Sequence, residues 1–138
     1  MNSSTDYAIR IIIYLAKQER VISSQLLSRV IDVSPRYLLQ IGAKLRDSGL
    51  VSVMHGSSGG YILLKKPNAI SLHDIMQIME GDSSSHQWTK HSNEKLNEFL
   101  VLNDVYQNID RLIEQGLKNI TIERILAQAN DEREKKRV

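Results

Sequence analysis

The sequence has no cysteine. That absence excludes a disulfide framework, a thiolate zinc site and a cysteine nucleophile, and it removes the usual ligands of an iron–sulfur cluster. Aromatic residues make up only 5%, and there are two prolines and seven glycines. A collagen-like or low-complexity chain is thereby excluded, and a helix-rich protein is expected. The Ile11 to Leu15 run is far too short to cross a bilayer. No basic stretch precedes an apolar one near the start, so no secretory leader is read and a cytoplasmic protein with no membrane partner is expected.

What remains is 138 residues, 41% of them apolar, enough for one domain, or a small domain with an appended helix. The formal charge of +2 hides an asymmetry. Residues 1–66 carry nine Lys/Arg against four Asp/Glu, a net of +5, whereas residues 67–138 carry nine against twelve, a net of −3. A basic half suited to polyanions is joined to an acidic half with another task.

Ser3, Ser4 and Thr5 can each cap a first helix, expected over about 6–18. Its apolar residues lie nearly all round, as in a helix at the centre of a core. Ser23 or Ser24 caps a short second helix, which breaks at Ile31-Asp32-Val33. Ser34-Pro35 starts a third, with Ser as N-cap and Pro at the first helical position, running to about Ser48 with Gly49 past its end. Leu38, Ile41 and Leu45 make its apolar stripe. Arg36, Tyr37, Gln40 and Lys44 lie on another side.

The period then changes. Residues 50–53 and 61–64 read as strands, joined by the Gly-rich turn His55 to Gly60. Ser71 caps a fourth helix that stops at Gly81. From Asn93 or Glu94 a long helix carries Leu96, Phe99, Leu100, Val105, Tyr106, Ile109, Leu112 and Ile113 at steps of three and four, to about Gly116. One small domain cannot cover such a stripe, so it reads as an association helix. Thr121 caps a last short helix, and the charged end from Asp131 is expected to fray. The organisation is therefore 1–81 as a basic first domain, 82–93 as a polar loop, 94–127 as dimerisation helices and 128–138 as a charged tail.

Helix, helix, tight turn, helix and Gly-tipped hairpin is the order of a winged helix-turn-helix. The expected fold is mainly α with a small β-hairpin wing and a long C-terminal dimerisation helix. A recognition helix needs one apolar face to dock and one polar face for the major groove. Arg forks onto guanine, Gln onto adenine, and Ser or Tyr reaches phosphate. Ser34, Arg36, Tyr37, Gln40 and Lys44 supply these, and His55, Ser57, Ser58 and Gly59 form a wing small enough to approach the backbone.

Further residues sharpen the reading. Thr5-Asp6-Tyr7-Ala8-Ile9-Arg10, the recognition-helix residues Ser34, Tyr37-Leu38, Gln40 and Lys44-Leu45-Arg46, then Gly49-Leu50-Val51, the wing Gly56 to Tyr61, and Ile70-Ser71-Leu72 through Glu80-Gly81 together resemble the Rrf2 family of bacterial transcription regulators. Thr121 to Leu126 resembles the family's closing helix, so the likeness covers residues 1 to about 127. The opening is closest to the nitric-oxide-sensing branch, where Asp6 matches an acidic position. The resemblance implies a homodimer with crossing long helices, a repressor of transcription that binds double-stranded DNA at an inverted repeat and has no catalytic activity. It places DNA contact on Arg36, Tyr37, Gln40 and the wing.

The chain departs from the family in three places. Leu39 stands where many members have Glu, and His55 where many have Arg. Residues 82–93, where cluster-binding members place three cysteines, contain none. No iron–sulfur cluster or other cofactor is therefore expected.

Rival readings concern the wing and the loop. Gly56 to Gly60 matches G-x-S-x-G, but a nucleophile elbow needs a helix after the Ser, and a strand is expected here. No Gly-Lys-Ser/Thr follows for a P-loop. His86 and His91, with Asp82 or Glu94, could offer ligands to a metal, but a spacing of five does not put both rings on one helix face. Trp88 is either a lid over a small-molecule effector or an apolar plug. Tyr7, Tyr14, Met76 and Met79 are expected in the core. The alternative functions are a winged-helix protein-interaction module that no longer binds DNA, or a regulator answering to a small molecule, metal or partner protein through the 82–93 loop.

Overall fold

The computed structural model describes residues 2–81 and 95–137. Helix α1 spans Ser3–Gln18. It starts earlier than the serine-rich opening suggests, because Asn2 is the cap: its side chain accepts the N–H of Thr5 at 2.9 Å. Asn caps as well as Ser does. Thr5 is then free to turn inward; it is fully buried, and its hydroxyl hydrogen-bonds the Glu80 carboxylate. Asp6 pairs with Arg10 at 2.9 Å on the exposed side of the same helix, an i,i+4 pair worth a few tenths of a kcal/mol.

The all-round apolar character of α1 has the expected consequence. Ala8, Ile11, Ile12 and Leu15 are buried, and Ile9 and Ile13 pack against the same cluster from the flanks. The helix touches nearly every other element of the domain. Tyr7 and Tyr14 line that core, and Met76 and Met79 are buried, so all four are packing residues as expected.

Helix α2 (Ser24–Ile31) is capped by Ser23 and ends at Asp32, which takes the left-handed conformation at φ 62°. Asp tolerates that region better than most residues. The Ser28 hydroxyl donates to the Val33 carbonyl and closes the turn. Helix α3 (Pro35–Asp47) follows, with Ser34 accepting the N–H of Tyr37 at 3.1 Å. Gly49, at φ +83°, terminates it. Leu38, Ile41 and Leu45 are buried as one stripe.

Strands β1 (Val51–Met54) and β2 (Gly60–Leu63) pair antiparallel, with Val51 opposite Leu63 and Met54 opposite Gly60. β1 lies one residue later and β2 one residue earlier than the sequence expectation, and the Leu50 N–H is taken by the end of α3 (Leu45 carbonyl, 3.1 Å). Ile22 adds a third rung: its N–H and carbonyl bond Tyr61 at 2.9 and 2.8 Å.

Helix α4 (Leu72–Glu80) opens on a complete capping box between Ser71 and Asp74. Helix α5 (Asn97–Lys118) begins with Leu96 extended at its N-cap and runs a little beyond Gly116. Its expected starts, Asn93 and Glu94, lie outside the described residues. Helix α6 spans Ile122–Lys135. Ile122 is fully buried, and its N–H bonds the Ile70 carbonyl at 2.9 Å, so the start of α6 docks onto the first domain. The charged stretch after residue 127 is helix as far as Lys135. The Thr121 cap, Glu123 in the first turn and Arg133 and Lys135 in the last complement the helix dipole and hold it. No helix among the described residues is long and apolar enough to cross a membrane.

Candidate nucleic-acid interface

The buried stripe of α3 points its opposite side outward. Ser34, Arg36, Gln40 and Lys44 are exposed there. The four-residue polar face expected beyond Ser34 nevertheless divides into two pairs. Tyr37 is half-buried, and its ring meets Tyr7 of α1 edge-on, with centroids 5.7 Å apart and planes at 88°. In the sequence it reads with the polar side of α3, but the N-terminal turns of α1 give it a packing partner. The Lys44 ammonium reaches the Met79 carbonyl at 3.5 Å, a long contact at the C-terminal end of α4. Cations are favoured at such helix ends, so Lys44 is drawn toward α4 and away from the tip of α3. Arg36 and Gln40 are left as the exposed polar pair of this face, one helical turn apart.

The wing stands beside this face. His55, Gly56, Ser57 and Ser58 are exposed at its tip, and Gly59 N–H bonds the Gly56 carbonyl at 3.1 Å. Strand β2 follows the turn directly, which removes the helix a nucleophile elbow requires. Gly59 also has a structural role. A Cβ there would lie 2.1 Å from the Met54 carbonyl oxygen, and one on Gly60 would lie 2.1 Å from that of Ile22. Both glycines are demanded by the closeness of backbone to backbone, which is what keeps the hairpin tight.

One residue that sequence reasoning passed over ties the wing to the helix. A Cβ on Gly42, in the middle of α3, would lie 2.7 Å from the ring of Tyr61 on β2. Tyr61 is buried, and burial raises its phenol pKa, partly opposed by the nearby Arg46. The available signal was a glycine inside a strong helix, which usually has a packing reason. Gly42→Ala should therefore reverse the ordinary helix rule. Alanine for glycine normally stabilises a helix by about 1 kcal/mol. Here overpacking against Tyr61 should lower stability by about 1–3 kcal/mol, read as a fall in urea midpoint at constant m-value.

The long helix supplies a second exposed surface. No residue of α5 is buried. Leu96, Phe99, Leu100, Val105, Leu112 and Ile113 are all exposed, Leu112 at 73%, while Tyr106 and Ile109 are half-buried. Leu102, also apolar in the sequence pattern, is exposed as well, and Val101 widens the apolar area beyond the expected stripe. His86, Trp88 and His91, with Asp82 and Glu94, lie outside the described residues. Among the described residues no group of three or more His, Asp or Glu could hold a metal ion.

Comparison with known proteins places this arrangement. Residues 1–128 match the family model Rrf2, described as an iron-dependent transcriptional regulator. The chain is 38% identical over 80 residues to the HTH-type transcriptional regulator CymR of Bacillus subtilis, covering 56% of this chain and 58% of that protein. It is 28% identical over 84 residues to the HTH-type transcriptional regulator NsrR of Halalkalibacterium halodurans, covering 59% and 58%. The chain thus spans little more than half the length of these relatives. The structure of B. subtilis CymR, titled as its global cysteine regulator, superposes with a TM-score of 0.80 at 27% identity, covering 93% of this chain and 96% of that one. IscR of T. potens superposes at 0.75 with 28% identity, covering 94% and 87%. The family description names iron, and this sequence lacks the thiolates that ordinarily hold an iron–sulfur cluster. With a two-strand wing beside a capped recognition helix, a long exposed helix behind it and a match over residues 1–128, the chain belongs to the Rrf2 family of transcription regulators, a family of regulators and not of enzymes.

Proposed function

We propose that this protein is a cytoplasmic, homodimeric, sequence-specific DNA-binding repressor that reads an inverted repeat and works without an iron–sulfur cluster. The observation that carries the reading is the division of α3. One stripe is fully buried, and Arg36 and Gln40 stand exposed on the other side, beside a wing of small residues. Arg and Gln are the side chains whose forks match guanine and adenine edges in the major groove. The net charge of +5 over residues 1–66 supports attraction to the phosphate backbone. The apolar surface of α5 supports the homodimer, because a row of large apolar side chains this long marks an association surface. Two copies related by a two-fold axis would present two recognition helices to two half-sites.

The test is an anisotropy titration of the protein against duplex DNA from upstream of its own gene, beside a scrambled duplex, at about 50 and about 200 mM salt. The upstream site should be held about a thousandfold tighter than the scramble, with both affinities falling as salt rises. No binding to either duplex at the lower salt would overturn the proposal and favour a protein-interaction role for the fold.

A further inference from the structure

Leu39 is the apolar residue on α3 that the core does not use. It is 60% exposed and stands outside the hydrophobic cluster that takes Leu38, Ile41 and Leu45. It lies three residues after Arg36, which makes these two neighbours on the exposed side of the helix, and Gln40 flanks Arg36 on the other side. A single exposed Leu elsewhere on a surface would need no explanation. This one stands next to the exposed polar side chains of α3.

We infer that Leu39 is a specificity-determining residue that packs against the C5-methyl group of a thymine in the major groove. This rests on the DNA-binding reading above. The chemistry of the groove supports it. Thymine alone among the four bases presents an apolar group there, and an apolar side chain is its natural contact. Leu39 has no donor or acceptor, so it cannot read guanine, cytosine or adenine by hydrogen bonding. Placed against cytosine, it would leave the exocyclic amino group without a protein partner and without water, which disfavours that base. Arg36 and Gln40 hold the helix in register beside it. Leu39 adds a preference for a T·A pair at a position next to their bases.

The operator is first defined by selecting bound duplexes from a random pool with the wild-type protein. Each conserved thymine is then replaced by deoxyuridine, which removes the methyl group and leaves every hydrogen-bonding edge intact. One position in each half-site should weaken binding about fourfold, and both together about fifteenfold, which is the weight of a buried methyl-sized group. In Leu39→Ala the same uridines should cost nothing, while Arg36 and Gln40 still confer sequence preference. Repeating the selection with Leu39→Glu should replace that thymine by cytosine, whose amino group donates to a carboxylate. Leu39 is exposed, so both variants should keep the wild-type fold, and an unchanged circular-dichroism spectrum and urea midpoint control for it. Uridine that costs nothing at any conserved thymine overturns the assignment, as does a cost that persists in Leu39→Ala. A wild-type selection that returns no preferred sequence overturns the DNA-binding reading itself and the role of Leu39 with it.

Discussion

Arg36→Ala combined with Gln40→Ala should remove most of the roughly thousandfold preference for the operator over a scrambled duplex, leaving about the fifteenfold that Leu39 supplies. Each good bidentate contact to a base edge carries about 1–3 kcal/mol of discrimination. Two such contacts per half-site, used twice by a dimer, account for most of a thousandfold preference. Both side chains are exposed and neither belongs to the core of α3, so the variant should fold normally. The affinity for scrambled DNA should fall less than the operator affinity and should keep most of its salt dependence, since the remaining basic residues of the first half still face phosphates. Anisotropy titrations of both duplexes at two salt concentrations check this. If the double variant keeps the wild-type preference, the outward face of α3 is not the reading surface. A uniform loss on both duplexes would mean that Arg36 and Gln40 touch only the backbone.

Val105→Asp combined with Leu112→Asp should convert the protein from dimer to monomer. The two residues are 45% and 73% exposed and lie seven apart along α5, on one side of the helix. In the isolated chain the aspartates meet water and leave the core intact. In a dimer they would bring desolvated carboxylates into an apolar seam, which is costly without partners. Sedimentation at micromolar concentration should give the dimer mass for the wild type and the monomer mass for the variant. Operator affinity should fall about 10²–10⁴-fold, because the second recognition helix is no longer held near its half-site. A wild-type protein that sediments as a monomer would refute the association role of α5. An unchanged dimer in the variant would move the interface elsewhere.

The elements that local chemistry controls were legible in the chain. Ser34-Pro35, Ser71 and Gly49 mark helix ends through side-chain or backbone bonds spanning three or four residues, and all of them act as read. The period of the stripe on α3 correctly identified its buried face. The start of α1 was harder. Asn2, Ser3, Ser4 and Thr5 are all competent caps, and nothing within the segment ranks them. Asn2 takes the role while Thr5 is turned inward toward Glu80, 75 residues away. The same limit applies to the end of the chain. A run of charges looks like a frayed tail until Ile122 anchors the helix that carries it.

The candidate interface shows the division most clearly. By itself the sequence determined the helical segments, the hairpin, the polar composition of the recognition face and the exposed apolar row on α5, because each follows from periodicity, capping or turn chemistry among near neighbours. Only the tertiary structure decided how that face is shared. Tyr37 meets Tyr7, Lys44 is drawn to the end of α4, Gly42 yields its space to Tyr61, and Arg36, Leu39 and Gln40 remain facing outward. The physical reason is that a helical wheel gives the direction of a side chain, whereas its partner is set by which distant segment the core brings against it.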